Sequence, residues 1–257
     1  MQELPQTGAM ASLSCKVSLV SEYLTVHKGK VSLAGINSPN QTVISGEKEA
    51  VATICKEVSS KGIKVKELKV SHAFHSPLMQ PMLASFKKVA ETITYNRPEK
   101  QLISNVSGKL AGDEILSANY LVTHIMEPVD FLQGMESLEK QGVNTYIELG
   151  PHPVLITQGE QCVMTDNAIW VASLRRDKDE IQQFLESIRD IYEAGKDMDW
   201  QSFYKGRTTK KIELPTYSFQ HKRYWIDPIT QTQQPQENKE AIVEKVTETT
   251  SSERVFK

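Results

Sequence analysis

The chain has 257 residues, with 30 basic and 32 acidic side chains and a formal net charge of -2. This length suffices for one large domain or for a domain with a smaller one, and the balanced charge gives no electrostatic basis for binding nucleic acid or an anionic membrane. The apolar runs are short and the first 30 residues lack a basic segment followed by an apolar one, so we expect neither a membrane span nor a secretory signal. Three scattered cysteines without a Cys-x-x-Cys pair favour reduced thiols in the cytoplasm and give little support to a metal site.

The first part of the chain alternates between strand and helix patterns. The predicted elements are, in chain order, a strand at 9–15, a helix with Val17, Val20 and Leu24 on one face, strands at 31–36 and 41–45, a helix with Ala50, Val51, Ile54 and Val58 on one face, and a strand at 63–70. The cluster Asn37-Ser38-Pro39-Asn40 predicts a hairpin turn. Ser45 or Gly46 is the expected N-cap of the second helix, and Gly62 follows its end. The order β-α-β-β-α-β predicts a ferredoxin-like split unit over 9–70.

The second part predicts further helices and strands. Ser76 is an expected N-cap with Pro77 in the first turn of a helix. The helix carries Leu78, Met82, Phe86, Val89 and Ile93, and after it come a strand at 101–106, a helix at 129–138 stopped by Gly142, a buried strand at 145–149, a turn at 150–153, and a helix at 180–194 whose core face is Ile181, Phe184, Leu185, Ile188 and Ile191. From about residue 228 the composition is polar with almost no aromatics, which predicts a linker or tail.

The six residues His72-Ala73-Phe74-His75-Ser76-Pro77 carry the chemistry. His75 stands directly before a helix N-terminus, whose positive end disfavours the imidazolium. A neutral imidazole can act as general base for a serine or cysteine nucleophile, although a histidine in such a place is often only a surface or capping residue. The sequence contains no Gly-x-Ser-x-Gly. We expect no substitute nucleophile, because Ser76 is committed to capping and because Cys55 and Cys162 have no base nearby in sequence.

Four separated segments resemble the acyltransferase domain of type I modular polyketide synthases, and the resemblance covers nearly the whole chain. They are Val70 to Met82 with the His-Ala-Phe-His box; Asn37-Ser38-Pro39 with Val43-Ile44-Ser45-Gly46; Glu148-Leu149-Gly150-Pro151-His152-Pro153-Val154-Leu155; and Leu214-Pro215-Thr216-Tyr217-Ser218-Phe219-Gln220 through Arg223-Tyr224-Trp225. Met1 to Pro5 with Gly8-Ala9-Met10 is similar to the segment that opens the small subdomain of that family.

The resemblance implies an α/β fold in which a ferredoxin-like small subdomain is inserted in an α/β-hydrolase-like acyltransferase core. It implies that the N-terminal part of the core, with the Gly-His-Ser-x-Gly nucleophile and a substrate-binding arginine, lies upstream of the matched residues and is missing here. The expected segments are the end of a core helix at 1–8, the small subdomain at 9–70, the C-terminal part of the core at 71–175, a helix and post-domain linker at 176–227, and a disordered tail or linker at 228–257.

The resemblance also assigns site residues. His75 is the expected catalytic base. Phe74 and His72 are the expected selectivity residues, because a His-Ala-Phe-His box accompanies malonyl-CoA in the family and a Tyr-Ala-Ser-His box accompanies methylmalonyl-CoA; Phe74 could instead be a core residue. The backbone carbonyl of His124 is expected to orient His75, with a helix-end histidine of no role as the alternative. Asn37 is a possible cleft residue or simply a turn former, and no metal ligand is expected.

The implied function is to load malonyl units from malonyl-CoA onto the phosphopantetheine of an acyl carrier protein through an acyl-serine intermediate. No cofactor is expected to bind this chain itself. The expected partners are the carrier protein, the ketosynthase and other synthase domains, and the N-terminal half of the acyltransferase. We expect the isolated chain to be inactive and to associate, because it supplies the base without the nucleophile. The alternative is a catalytically inactive remnant or structural scaffold of a synthase module.

Overall fold

The computed structural model describes residues 4–220 and 222, and it shows a mixed α/β protein. The described residues through Phe203 belong to one compact unit, and the described residues from Tyr204 onward belong to a second. The described part of the second unit contains neither helix nor strand. The predicted tail from 228 and the Arg223-Tyr224-Trp225 motif lie outside the described residues.

The first part of the chain builds a twisted sheet with two helices. Its elements are β1 (Gly8–Leu13), α1 (Val17–Val26), β2 (Val31–Ser38), β3 (Gln41–Glu47), α2 (Lys48–Ser60) and β4 (Val65–Glu67). The strand order is β4-β1-β3-β2-β5, where the fifth strand, β5 (Val129–Asp130), comes from much later in the chain. The first four strands pair antiparallel, and β5 pairs parallel with β2.

The core of this part lies between the sheet and the two helices. Alternate residues of β1 and β3 face α1 and α2, which is the period expected of strands with one covered face. The buried cluster consists of Ala11, Leu13, Cys15, Val20, Tyr23, Val31, Ile44, Ala50, Val51, Ile54, Cys55 and Val58. The predicted apolar faces of both helices are therefore confirmed at Val20 and at all four positions of α2.

Several local predictions in this part need correction. The hairpin is confirmed, but its turn is Pro39-Asn40, and Asn37 still belongs to β2. Ser45 and Gly46 are not caps; they lie inside β3, and the N-cap position of α2 is Glu47, which makes no side-chain capping bond. Gly62 follows α2 with a φ of 80°, as predicted. The strand expected at 63–70 is reduced to β4.

The second part of the chain is mostly helical. Its elements are a 3₁₀ turn (Pro77–Met79), α3 (Gln80–Ala90), a second 3₁₀ turn (Asp113–Ile115), α4 (Ala118–Met126), β5, α5 (Phe131–Lys140), β6 (Thr145–Glu148), α6 (Ile156–Gly159), β7 (Ile169–Ala172), α7 (Glu180–Glu193) and α8 (Trp200–Phe203). Strands β6 and β7 form a separate two-stranded parallel sheet. The helix predicted after Ser76 ends at Ala90, so Ile93 lies outside it.

The strand predicted at 101–106 is wrong. The region has only one isolated bridge, between Ile103 and Leu110. The reason is local: the Ser104 hydroxyl accepts the N–H groups of Val106 at 3.2 Å and Ser107 at 3.4 Å, and these bonds turn the chain back on itself. The hydrogen bonds of one buried serine thus outweigh the strand propensity of this segment.

Three other elements differ from expectation in their bounds, in their exposure or in the face that packs. The helix expected from 129 starts two residues later, because Val129 and Asp130 pair with β2 and the Asp130 carboxylate caps α5 at the Gln133 N–H. The strand expected to be buried at 145–149 ends at Glu148, and Leu149 is 84 % exposed. The helix α7 has nearly the predicted extent but only part of the predicted core face.

The face of α7 that packs combines one apolar residue with two polar ones. Gln183 and Ser187 are buried and both donate to the carbonyl of Ala172 at the end of β7, at 3.2 and 2.7 Å. Of the predicted core residues, Ile188 is buried, as expected, whereas three are exposed: Ile181, Phe184 and Leu185. Hydrogen bonding to Ala172 therefore helps to decide how this helix is oriented.

Gly46 provides a test of how closely β2 and β3 approach. A Cβ on Gly46 would lie 2.1 Å from the carbonyl oxygen of Lys30 and 2.7 Å from the Cα of Val31, both backbone atoms that cannot move aside. We expect Gly46→Ala to lower the free energy of unfolding by about 3 kcal/mol. Urea denaturation followed by far-UV circular dichroism measures this value.

The matched control for that change is Gly150→Ala. No heavy atom lies within 4 Å of a Cβ at Gly150, so the variant should stay within about 0.5 kcal/mol of the wild type. Equal stabilities of the two variants would show that the strand pair adjusts freely around Gly46.

Candidate active site

His75 lies in the loop that leaves β4 and enters the 3₁₀ turn. Its φ is 59°, in the left-handed region that residues other than glycine enter at a cost. The neighbouring Ser76 fixes this geometry, because its hydroxyl donates to the carbonyl of Ala73 at 2.6 Å and accepts the N–H of Leu78 at 3.3 Å. The predicted cap at Ser76 is therefore confirmed, and it holds the backbone of His75 from one side.

The ring of His75 is oriented by a backbone carbonyl. Its Nδ1 lies 2.8 Å from the carbonyl oxygen of Glu127. Since a carbonyl can only accept, Nδ1 carries the hydrogen and donates it, which leaves Nε2 of a neutral ring unprotonated. An imidazole held in this tautomer can take up a proton at Nε2, which is what a general base needs.

The environment also favours the neutral ring. Burial lowers the pKa of His75, and the charge of His124 lowers it further, while the Glu127 carbonyl acts in the opposite direction. The direction agrees with the sequence argument, but the main cause does not. The expected cause was a helix dipole, but His75 precedes only a three-residue 3₁₀ turn, and burial has the largest effect on its pKa.

Glu127 is the residue that sequence reasoning missed. The carbonyl expected to orient the base was that of His124; in the structure it has a weaker effect on the pKa of His75 than the carbonyl of Glu127, three residues later. Helix α4 ends at Met126, and Glu127 is extended with a ψ of 151°, so its carbonyl points away from the helix. Pro128 is the sequence signal for this helix end, because the helical conformation is disfavoured at the residue before a proline.

The side chain of His124 lies beside the candidate base. The ring centroids of His75 and His124 are 6.2 Å apart, and the rings are inclined by 58°. On its other side His124 stacks on Tyr120, with centroids 6.1 Å apart and an interplanar angle of 14°. The structure thus brings two of the predicted site residues together.

The other two side chains of the box contact the first part of the chain. His72 is 4 % exposed, and its Nε2 lies 3.0 Å from the carbonyl oxygen of Leu4. Phe74 is half-buried; it contacts the ring edge of His72 and packs on a small cluster that includes Met10 and Val43. Phe74 is therefore held firmly by the sheet on one side, next to the base in sequence.

Asn37 lies at the end of β2, against the second part of the chain. Its carbonyl accepts the thiol of Cys162 at 3.3 Å, and the adjacent Ser38 hydroxyl donates to Oε1 of Gln161 at 2.9 Å. These two contacts join β2 to the segment after α6. Asn37 thereby has a structural role that its sequence position did not suggest.

The side chains considered as substitute nucleophiles are poorly suited to that role. All three cysteines are buried and free. Burial raises the pKa of Cys162 to about 11, with a contribution from Glu136, and burial also raises the pKa values of Cys15 and Cys55. A buried thiol of high pKa is a poor nucleophile at neutral pH. Ser76 is fully buried and committed to the two hydrogen bonds described above.

The motif that begins at Glu148 is organised by its own carboxylate. Glu148 accepts the N–H groups of Val154, Leu155 and Ile156 at 2.8 to 3.1 Å, and so closes the turn between β6 and α6. Burial would raise the pKa of Glu148, but these three donors hold it below its usual range. His152 accepts the N–H of Arg176 at 3.3 Å, which is consistent with a structural role.

The described residues contain neither a candidate metal centre nor a candidate membrane span. Among residues 4–220 and 222, there is no group of three or more histidine, cysteine, aspartate or glutamate side chains placed to hold a metal ion. Likewise, none of the described helices has the length and apolar character needed to cross a bilayer.

The fold and the site together define a class: a mixed α/β protein with a half-buried histidine fixed through Nδ1. Comparison with known proteins then identifies the family. The model of the acyl transferase domain family matches residues 1–197, and the chain belongs to that family.

Its relatives are polyketide synthases. The chain is 36 % identical over 231 residues to the polyketide synthase GfsA of Streptomyces halstedii, covering 88 % of this chain and 3 % of that protein. It is also 36 % identical over 228 residues to the putative inactive phenolphthiocerol synthesis polyketide synthase Pks1 of Mycobacterium tuberculosis, covering 89 % of this chain and 14 % of that protein. The chain thus spans only a small part of these relatives.

A solved structure gives the same assignment. The acyltransferase domain from the second module of the salinomycin polyketide synthase superposes with a TM-score of 0.79 at 36 % identity. The match covers 84 % of this chain and 51 % of that chain. The chain therefore has the fold of about half of an acyltransferase domain from a polyketide synthase.

The lowered pKa of His75 predicts acid sensitivity. Between the unfolded pKa of about 6.5 and the lower folded value, the unfolded chain binds a proton that the folded chain does not. The stability of the wild type should therefore fall, relative to His75→Gln, as the pH drops below about 6.5. Chemical denaturation of both proteins from about pH 8 to about pH 5 measures the difference.

The control for this titration is His27→Gln, a change at the end of α1 and outside the site. Its acid sensitivity should equal that of the wild type. If His75→Gln behaves in the same way as this control, the pKa of His75 is not lowered on folding.

Proposed function

We propose that this chain is the C-terminal part of an acyltransferase that moves malonyl units from malonyl-CoA to an acyl carrier protein through an acyl-serine intermediate. Family membership supports acyl-group transfer. The observation that carries the proposal is the 2.8 Å contact between Nδ1 of His75 and the Glu127 carbonyl, since it leaves Nε2 free to accept a proton.

The proposed reaction has two halves with one base. Nε2 of His75 takes the proton of the serine hydroxyl as its oxygen attacks the malonyl thioester carbonyl. The carbon–sulfur bond breaks, and the CoA thiolate leaves with the proton returned by His75. In the second half, the phosphopantetheine thiol gives its proton to His75 and attacks the malonyl ester, and the serine oxygen leaves and takes that proton back.

The serine comes from the other part of the domain. No Gly-x-Ser-x-Gly occurs in the sequence, and this chain matches 51 % of the salinomycin acyltransferase chain. An open groove of about 470 Å³ lies beside β6, and its walls are largely apolar. Because an exposed apolar groove often marks a surface that another protein part covers, the groove supports the proposal that the other part of the domain packs here. They include Phe131, Met135, Leu138, Ile147, Leu155 and Trp170.

We propose the predicted division of the chain as its domain organisation, except for the helix end expected at 1–8: the described residues 4–7 are not helical, and Gly8 begins β1. The ferredoxin-like small subdomain at 9–70 is supported by the strand order β4-β1-β3-β2 and by antiparallel pairing throughout. The core continues over 71–175, the helix and linker over 176–227 and the tail over 228–257. The carrier protein approaches the cleft between the small subdomain and the core, near Asn37, and the ketosynthase and other synthase domains are the remaining partners.

We propose Phe74 and His72 as the residues that favour malonyl. Phe74 is fixed by the packing of its ring on the Met10 and Val43 cluster, and its edge contact with His72 limits how far it can rotate. A fixed aromatic ring occupies space that the methyl of a methylmalonyl group would need. One methyl group changes discrimination by about 1–3 kcal/mol.

An inactive scaffold remains the second candidate. The observation in its favour is the 36 % identity to the putative inactive polyketide synthase Pks1 of Mycobacterium tuberculosis. The two candidates differ in one respect: only an enzyme part needs His75 to be correctly oriented once the missing half is supplied.

A fusion tests the choice. The half of the second-module salinomycin acyltransferase that this chain does not match is joined upstream of the full chain, and the product is incubated with malonyl-CoA and carrier protein. We expect the fusion to gain one malonyl group on its serine and to transfer it, whereas the chain alone gains none. Intact-mass spectrometry follows both species. A malonyl adduct on the chain alone would contradict the assignment of the nucleophile.

The role of the base is tested in the same fusion. Replacing His75 by Gln should slow transfer about 10²- to 10⁴-fold, and the matched change at His27 should leave it unchanged. A fusion that folds, binds malonyl-CoA and shows no dependence on His75 favours the scaffold.

Selectivity is tested by Phe74→Ser in the fusion. Removing the ring opens space beside the base, so we expect the ratio of malonyl to methylmalonyl transfer to fall by about tenfold. Competition between equal amounts of the two CoA esters, read by mass spectrometry of the carrier protein, gives the ratio. An unchanged ratio would assign Phe74 to the core alone.

A further inference from the structure

A second imidazole beside the base has no role so far. The expected contribution of His124 was its backbone carbonyl, and in the structure the carbonyl of Glu127 makes the hydrogen bond to His75. The side chain of His124 nevertheless lies with its ring centroid 6.2 Å from that of His75. Its presence there needs a separate explanation.

The ring of His124 is held from behind by a chain of contacts. Tyr120, one helical turn earlier on α4, stacks on it nearly parallel. The hydroxyl of Tyr120 lies 2.8 Å from the hydroxyl of Ser104, which is 1 % exposed. Ser104 is itself fixed by the two N–H groups of its turn. A rigid support therefore runs from the turn at 104–108 through α4 to the base.

The polar ring of His124 carries a free-energy cost that a residue needed only for packing would avoid. Its Nε2 is buried and has no hydrogen-bond partner among the described residues. A buried polar atom without a partner is unfavourable, and an apolar ring of similar size would avoid that cost. A titratable ring at this place is therefore informative.

We propose that His124 is a positioning residue for His75: its ring, braced by Tyr120 and Ser104, restricts rotation of the His75 ring so that Nδ1 stays on the Glu127 carbonyl and Nε2 stays unprotonated and free. The inference rests on the proposed function for the meaning of a free Nε2. Its physical content, the orientation and protonation of His75, can be measured without any reaction.

His124 affects the protonation of His75, and other titratable groups lie on the elements that pack on α4. The elements that pack on α4 carry Lys87 and Lys88 on α3 and Asp113 and Glu114 in the second 3₁₀ turn. Tyr120 is the neighbouring titratable group on α4 itself. The charge of His124 lowers the pKa of His75, as two like charges at this distance must.

The experiment is a histidine NMR titration of the full chain. With ¹⁵N-labelled histidines, ring nitrogen shifts report both the titration midpoint and the tautomer, and the His75 signals are identified by their loss in His75→Gln. The variants are His124→Phe, which keeps a ring and removes the charge, and His124→Ala, which removes both. His27→Phe is the matched control.

The proposal predicts a different result for each variant. His124→Phe should shift the His75 midpoint upward and retain the Nδ1–H tautomer. His124→Ala should shift it upward and also reduce the excess of the Nδ1–H tautomer several-fold. Tyr120→Phe removes only the hydroxyl that bonds to Ser104, so it should change the tautomer in the same direction but less. The control should leave both values unchanged.

Three outcomes would overturn the inference. The first is an unchanged midpoint and tautomer in both His124 variants, and the second is an equal tautomer loss in His124→Phe and His124→Ala. The third is a change in the His27 control of the same size. Amide spectra of each variant show whether the fold is intact, and His124→Phe serves if the alanine variant unfolds. Failure of the fusion to transfer malonyl, with these NMR results obtained, would reject the proposed function and leave the positioning role standing.

Discussion

The hydrogen bond from His75 to the Glu127 carbonyl connects two parts of the chain that are 52 residues apart. It needs a left-handed backbone at His75, which Ser76 stabilises, and a carbonyl at Glu127 that is not already accepting a hydrogen bond from a helical N–H. The second condition is met because Pro128 disfavours helix at the preceding residue, so that α4 ends at Met126 and Glu127 is extended. The orientation of the candidate base thus depends on two local backbone features: the left-handed conformation of His75 and the extended conformation of Glu127.

Strand β2 helps to hold these two backbone features next to each other. One edge of β2 pairs with β3, and the other pairs in parallel with β5, which follows Pro128 directly. At its end, Ser38 and Asn37 bond to Gln161 and Cys162. A single strand therefore anchors the small sheet to the segment that carries Glu127, and a shift of β2 would move the carbonyl away from His75.

The sequence was most informative where a local rule and the tertiary structure agree. The hairpin between β2 and β3, the glycine after α2 and the cap at Ser76 all follow from turn and cap chemistry that holds in any surroundings. The prediction failed where distant contacts decide. The two polar residues of α7 pack because the Ala172 carbonyl needs donors, and the strand at 101–106 is lost to the hydrogen bonds of Ser104. In the candidate site, the motif singled out His75 as the expected base, but its contact with Glu127 required knowing where α4 ends.

The open groove beside β6 has a consequence for the site as well as for stability. Two parallel strands alone form a marginal sheet, and here Tyr146 and Trp170 stack with ring centroids 4.2 Å apart while Leu149 stays exposed. Phe131 lines the groove at the start of α5, four residues after Glu127 and directly after β5. A partner that fills the groove therefore restrains the start of α5 and, through β5, the carbonyl that orients His75. On the proposed function, the other half of the domain would supply the serine and would also stiffen the base that activates it.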